Sequence, residues 1–429
     1  MNKLTQMIKD DMQPALGVTE PGAIAFAAAK ARSYTKGEIE SVLLSLNSGM
    51  YKNAFTCGIP NSNEVGNIFS AALGVIAGNP NKGLESLASV TPQDNIEAKK
   101  LVDAGKIKVK LSGITSDIFI EATVKTASDE CTVTIKHSHT DIYRIIVNGK
   151  VEFEKEDKVL TESKDGLASD EAEIHKYTLA QLVEYINTVD IKEIEFIKEA
   201  YKVNMELFDE GLSNERTTFA RYLKKMNDNA IFSKDEHKTA QLLCNAAIEA
   251  RVIGLDKPAM SITGSGAHGI ICTMPLYAVC KVNNIAEEKL LRATALSYLV
   301  TMYIKEYSGR LSAFCGCAIA AGTGMACALV YLKGGTVEQM QHTINNMASS
   351  ITGMICDGGN QGCTMKGIVA VDAAFKSVEL AMNDAYIFNS HGINAKTPEQ
   401  TMKYMGLIAS PGMVGTEKTI VEICEDKLK

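Results

Sequence analysis

Residues 106–154 read differently from everything around them. "KIKVKLSG", "DIFIEATVKT", "CTVTIKHS" and "DIYRIIVNGKVEFEKE" alternate apolar and polar residues with period two, the pattern of half-buried strands. Asn148-Gly149 falls between two such runs and predicts a type I′ hairpin turn. On either side the apolar residues return at helical spacing, in "AIAFAAAKARSY", "NIFSAALGVIAG" and "TPQDNIEAKKLVDAG" before, and in "LAQLVEYINTV" and "EEKLLRATALSYLVTMYIKEY" after. "EIESVLLSLNSGMYKN" reads as a strand within the first helical region. The expected fold class is α+β: a mostly helical candidate catalytic domain built from both chain ends, with a smaller α/β insertion containing an antiparallel sheet. The expected divisions are 1–90 for the N-terminal part of the helical domain, 91–176 for the small α/β domain and 177–429 for the helical remainder. The charged stretch "EKEDKVLTESKDGLASDEAEIHK" predicts an exposed loop or linker.

The balance of residues narrows the partners. Charged residues are 22% and hydrophobic residues 46%, ordinary for a soluble globular protein. A net charge of −7 without a long basic run argues against nucleic acid and anionic membranes. The N-terminal "MNKLTQMIKDDMQPALG" carries acids and no continuous apolar stretch, unlike a signal peptide. Other apolar segments break well before the ~20 residues of a membrane span. A cytoplasmic protein acting on small molecules is expected, and a homo-oligomer is compatible with the sequence.

Eleven cysteines, an odd count in a reducing compartment, argue against a disulfide scaffold. Most read as small buried hydrophobes. Four stand apart. Cys315 and Cys317 precede a small-residue helix in "GRLSAFCGCAIAAGTG", and Cys356 and Cys363 frame the glycine-rich "CDGGNQGC". Thiolates at helix N-termini are stabilised by the dipole and by free N–H groups, and an anionic iron–sulfur cluster gains from the same surroundings. No CxxC knuckle of a zinc site is present. Inert packing and a cluster site both remain open on spacing alone.

Other candidates are less specific. "SITGSGAHG" is a glycine-rich turn bearing His268, either a ligand-reaching histidine or a locally bonded turn residue. Arg310 suits bidentate recognition of a carboxylate, and Lys305 offers a point charge. In "PALGVTEPG", Thr19 reads as a helix cap with Pro21 in the first turn. His137, His139, His175 and His237 sit in charged or strand contexts and read as solvated.

Together, "PALGVTEP", "GSGAHG", "GRLSAFCGCAIAAGTG" and "GMICDGGNQGC" resemble the L-cysteine desulfidase family, related to the α-chain of iron–sulfur L-serine dehydratases. The resemblance implies a [4Fe–4S] lyase that releases hydrogen sulfide and ammonia from L-cysteine, leaving pyruvate. It implies Cys356 and Cys363 as cluster ligands, with Cys317 or Cys315 as the third; Cys317 is favoured by the interval to Gly322. Glu20 and His268 become candidates for the catalytic base. Arg310 joins them as a catalytic candidate that orients the carboxylate, and Lys305, Thr19 and the turn of Gly264, Ser265 and Gly266 become candidates for substrate binding. One departure stands out: the family usually reads GCTEP where this chain has Val18, and valine neither accepts a proton nor binds iron. L-serine, another β-substituted amino acid, or a catalytically silent chain are the alternatives this departure raises. No strand-borne lysine with a phosphate cup supports a pyridoxal phosphate enzyme.

Overall fold

Small residues decide how the second half packs. Gly266–Val282 and Glu287–Ser308 carry alanine, glycine and hydroxyl side chains on faces that would be polar in a surface helix, and both are buried almost all round. The computed structural model describes residues 2–115, 117–156, 172–309 and 311–428. Around these two central helices lie Glu236–Val252, Gly322–Leu332, Val337–Ile351 and Gly362–Ala381. Three buried hydroxyls find partners along the chain: Thr273, Thr301 and Thr323 donate to the carbonyls four residues earlier, at 2.6, 2.7 and 2.6 Å. These polar residues therefore cost the core little.

The alternating runs form the expected strands, Ile107–Gly113, Phe119–Thr126, Glu130–Lys136, Ile142–Val147 and Lys150–Glu154. Asn148 and Gly149 both have positive φ, +50° and +78°, as a type I′ turn demands. The sheet has six strands and is mixed. Its second strand is Ile39–Asn47, which pairs parallel with Ile107–Gly113 and antiparallel with Phe119–Thr126. The 91–176 division thus leaves out a strand that lies inside this sheet. Most of the charged stretch expected as a linker, 157–171, lies outside the described residues.

Two short ties position the site. Gln13–Leu16 pairs antiparallel with Pro258–Ser261, setting the start of helix Thr19–Arg32 beside the turn at Gly264. That helix is capped by Val18 without a side-chain bond; Thr19 lies one residue inside, and its hydroxyl donates to Glu20 Oε2 at 3.1 Å. The capping role expected of Thr19 is therefore corrected. Pro21 does fall in the first turn. The second tie is a single bridge, Phe314 to Ile355, between the two cysteine-bearing loops.

Candidate functional site

Backbone hydrogen bonds fasten the cysteine loops together. Cys315 N donates to Met354 O at 3.0 Å, and Cys356 N to Ala313 O at 2.6 Å. The buried Lys52 ammonium donates to Ser312 O at 3.1 Å and to Cys356 O at 2.9 Å, one contact in each loop. Cys317 opens a π-helical turn, Cys317–Ala321, that runs into Gly322–Leu332; such turns recur at functional sites. Cys363 is the second residue of Gly362–Ala381.

The four thiols lie within electrostatic reach of one another. Cys315 and Cys317 share a hydrogen bond that holds Cys315 down to about 7 and pushes Cys317 well up, with burial and the other thiols adding to the rise of Cys317. Burial, and then Cys356, push Cys363 up to about 12. Burial opposes the charge of Lys366, but its ion pair with Asp357 and the neighbouring Cys356, Cys315 and Cys363 raise its pKa above the ordinary lysine value. Among the described residues, no three His, Cys, Asp or Glu side chains close on one point as a single-ion site would.

Cys317 and Cys356 line a small cavity, with about 70 Å³ open to water centres. A larger cleft around Asn61, Asn95 and Arg216, about 710 Å³, holds no cysteine or histidine.

Glu20 lines the same cavity, with Oε1 accepting from Asn53 Nδ2 at 3.0 Å and lying 3.6 Å from His139 Nε2. Burial alone would raise the Glu20 pKa; His139, Asn53 and Arg251 overcome it and lower the pKa to about 2. Glu20 is a carboxylate at every physiological pH and a poor proton acceptor.

His268 is different. It sits in the first turn of Gly266–Val282, just past the glycine turn. The Thr263 hydroxyl donates to Ile262 O at 2.8 Å, so at 2.6 Å it accepts from His268 Nδ1–H. Nε2 is then the lone-pair nitrogen. Burial, followed by the charges of Lys305 and Arg251, pushes the His268 pKa well down, keeping the ring neutral. A β-carbon on Gly316 would meet Nε2 at 2.7 Å, so only glycine lets the Cys315–Cys317 segment approach this closely. Lys305 also lines the cavity and donates to Gly309 O at 2.8 Å.

The first-turn N–H groups of Gly266–Val282 lack partners within their helix, and Ser265 makes no side-chain cap bond. Together with Gly264 and Ser265 on the cavity wall, they form an anion-binding corner. Gly266 lies behind it, against Arg251 and Ala259. Arg310 lies outside the described residues.

The solvated reading of two histidines is corrected. His139 is buried and enters the cavity, because the strand Glu130–Lys136 ends in a turn at His137 (φ +65°). His175 stacks on Tyr307, with ring centroids 3.6 Å apart. Arg251, Asn53 and Lys52 also escape sequence reasoning. The departure at Val18 has a place as well: a β-carbon on Gly359 would meet Val18 Cγ1 at 2.7 Å and Cys57 Cβ at 3.4 Å. Val18 therefore packs against the loop between Cys356 and Cys363.

The sequence profile of the serine dehydratase alpha chain matches residues 81–422. The chain belongs to that family. A UPF0597 protein of Clostridium botulinum is 40% identical over 430 residues, covering 100% of this chain and 99% of its own. UPF0597 proteins of Caldanaerobacter subterraneus and Clostridioides difficile are 36% and 33% identical, each covering 97% or more of both chains. Glu20, lying before the matched span, joins the serine dehydratase alpha-chain core through the Gln13–Leu16 ribbon. No helix among the described residues is long and apolar enough to cross a membrane.

Proposed function

We propose that this chain is an iron–sulfur β-eliminating lyase of small amino acids, with L-cysteine as its substrate. One observation carries the proposal: Cys317 and Cys356, from loops some forty residues apart, line one small cavity together with Glu20, His268 and Lys305, with Cys363 in electrostatic reach. Membership of the serine dehydratase alpha-chain family supports the reaction class.

The donor set fits a [4Fe–4S] group. A cluster asks each thiolate to meet a different iron, so the ligands spread around a cavity instead of closing on one point. Cys317, Cys356 and Cys363 would hold it, with Cys315 behind Cys317. The buried Lys52 and the half-buried Lys366 offset the negative charge such a centre brings. When bound, the cluster supplies a Lewis-acidic iron that stabilises charge on the departing sulfur or oxygen.

The chain's own groups do the rest. The helix start at Gly266 and the turn of Gly264 and Ser265 take the α-carboxylate. The cavity's size excludes bulky side chains. Serine differs from cysteine only in the leaving atom, and the family's description favours serine as the second reading.

The test is anaerobic purification with iron and sulfide analysis, followed by incubation with each amino acid. Sulfide and pyruvate from cysteine, in excess over pyruvate from serine, support the proposal. Turnover of serine alone transfers it to the second reading. A protein that takes up no iron and eliminates neither substrate overturns both.

A further inference from the structure

We infer that His139, delivered into the cavity from the sheet, is the acid–base group of the elimination and that Glu20 orients it; this rests on the lyase reading above.

Of the titratable groups on the cavity, Lys305 donates to Gly309 O, and Cys317 and Cys356 are the proposed cluster ligands; of the three that remain, two fail on physical grounds. Both Glu20 oxygens already accept hydrogen bonds, Oε1 from Asn53 and Oε2 from Thr19, which makes it a positioning group and not the base. His268 is buried beside Lys305 and Arg251, whose charges oppose any proton on its free nitrogen. It serves as a fixed acceptor.

His139 remains, and its surroundings differ. It is 8% exposed, and its Nε2 faces Glu20 Oε1 at 3.6 Å without a hydrogen-bond partner among the described residues. Catalytic hydrogen bonds are often this long before substrate binds. A carboxylate beside one ring nitrogen fixes the proton there and leaves the other nitrogen as the base, the logic of acid–base triads. That other nitrogen, Nδ1, faces the glycine turn: a β-carbon on Gly264 would meet it at 3.7 Å. An amino acid whose carboxylate rests at Gly264, Ser265 and the helix start presents its α-carbon to the same place. The charged and titratable groups facing His139 across the cavity are Glu20, His268, Lys305, Cys317 and Cys356, with Arg251 acting on Glu20 and His268.

The step balances. Nδ1 takes the α-proton, the C–H pair becomes the Cα–Cβ double bond, and the Cβ–S bond breaks with its pair on sulfur. The imidazolium returns the proton to the leaving sulfide. The enamine then takes up a water molecule and releases ammonia and pyruvate. Glu20, already ionised, stabilises the transient imidazolium without itself changing charge.

The test uses the full, anaerobically reconstituted chain and its His139→Gln, His139→Ala and Glu20→Gln variants. In His139→Gln, kcat falls by about 10²–10⁴-fold while KM stays within a few-fold and iron and sulfide content match wild type. Imidazole added to His139→Ala restores part of the turnover. The acid limb of kcat/KM disappears in His139→Gln and moves to lower pH in Glu20→Gln, since an uncharged partner no longer favours the imidazolium. A His139→Gln enzyme within threefold of wild type, with its acid limb unchanged, overturns the inference and leaves the lyase reading standing. A wild-type protein without eliminase activity overturns both.

Discussion

Lys52 is the sharpest place to test how the site is held. Its side chain is wholly buried, 3.0 Å from a carboxylate oxygen of Glu417 on the helix Val414–Asp426, and neither Glu417 oxygen makes another hydrogen bond among the described residues. Burial works against the lysine's charge, yet Cys356, Glu417 and Glu20 hold its pKa above the ordinary value. Lys52→Met removes the cation and strands Glu417, at a cost of about 3–5 kcal/mol for a broken buried pair. Lys52→Met with Glu417→Leu removes the stranded charge too. What remains is two lost bonds to Ser312 O and Cys356 O, about 1 kcal/mol each. The double variant should therefore be more stable than Lys52→Met alone, with a coupling of at least about 3 kcal/mol in a double-mutant cycle. Urea unfolding followed by circular dichroism measures the four stabilities. Iron loss over time should still be faster in the double variant than in wild type, because the Cys356 carbonyl has lost its anchor. Additive single-mutant costs, or a Lys52→Met cost below about 1 kcal/mol, would refute the reasoning.

Glu20 should govern acid stability. Its folded pKa of about 2 lies below the ordinary 4.5, so its contribution, about 3 kcal/mol by linkage, is complete above pH 4.5 and lost as pH falls toward 2; acid titration of stability should be flatter in Glu20→Gln. Gly316→Ala should drive a methyl group into His268 Nε2 and Lys305 Cδ, reducing kcat/KM by tenfold or more while unfolding shifts by no more than about 3 kcal/mol. Val18→Cys should fold with little loss, place a thiol against Gly359 beside Cys57, and raise cysteine turnover; unchanged kinetics with full iron content would show that valine is no lesion. Cys356→Ala should abolish iron retention, measured by metal analysis, without preventing folding.

Much of the fold was legible because its signals are local. Period-two alternation and Asn148-Gly149 specify a sheet and a hairpin without reference to anything distant. That Ile39–Asn47 lies inside this sheet was not legible, since its pairing with Ile107–Gly113 crosses some sixty residues. The cysteine pairs announced themselves through glycine-rich helix starts. His139 did not: two histidines after a strand end read as solvent-exposed, and only the left-handed turn at His137 carries the second one inward. Arg251 and Lys52 lie on helices whose sequence gives no sign that these particular charges are buried. Thr19 shows the opposite error, a good capping residue placed one position too late to cap.

The ribbon joining Gln13–Leu16 to Pro258–Ser261 sets a clock on synthesis. Its partners are about 240 residues apart, so at 5–20 residues per second the first strand waits roughly 12–48 s for its mate to leave the ribosome. During that interval Glu20 has no turn to face, and half of the pocket exists without the other half. The cavity is complete only later still, once the loops that carry Cys317 and Cys356 have also been made.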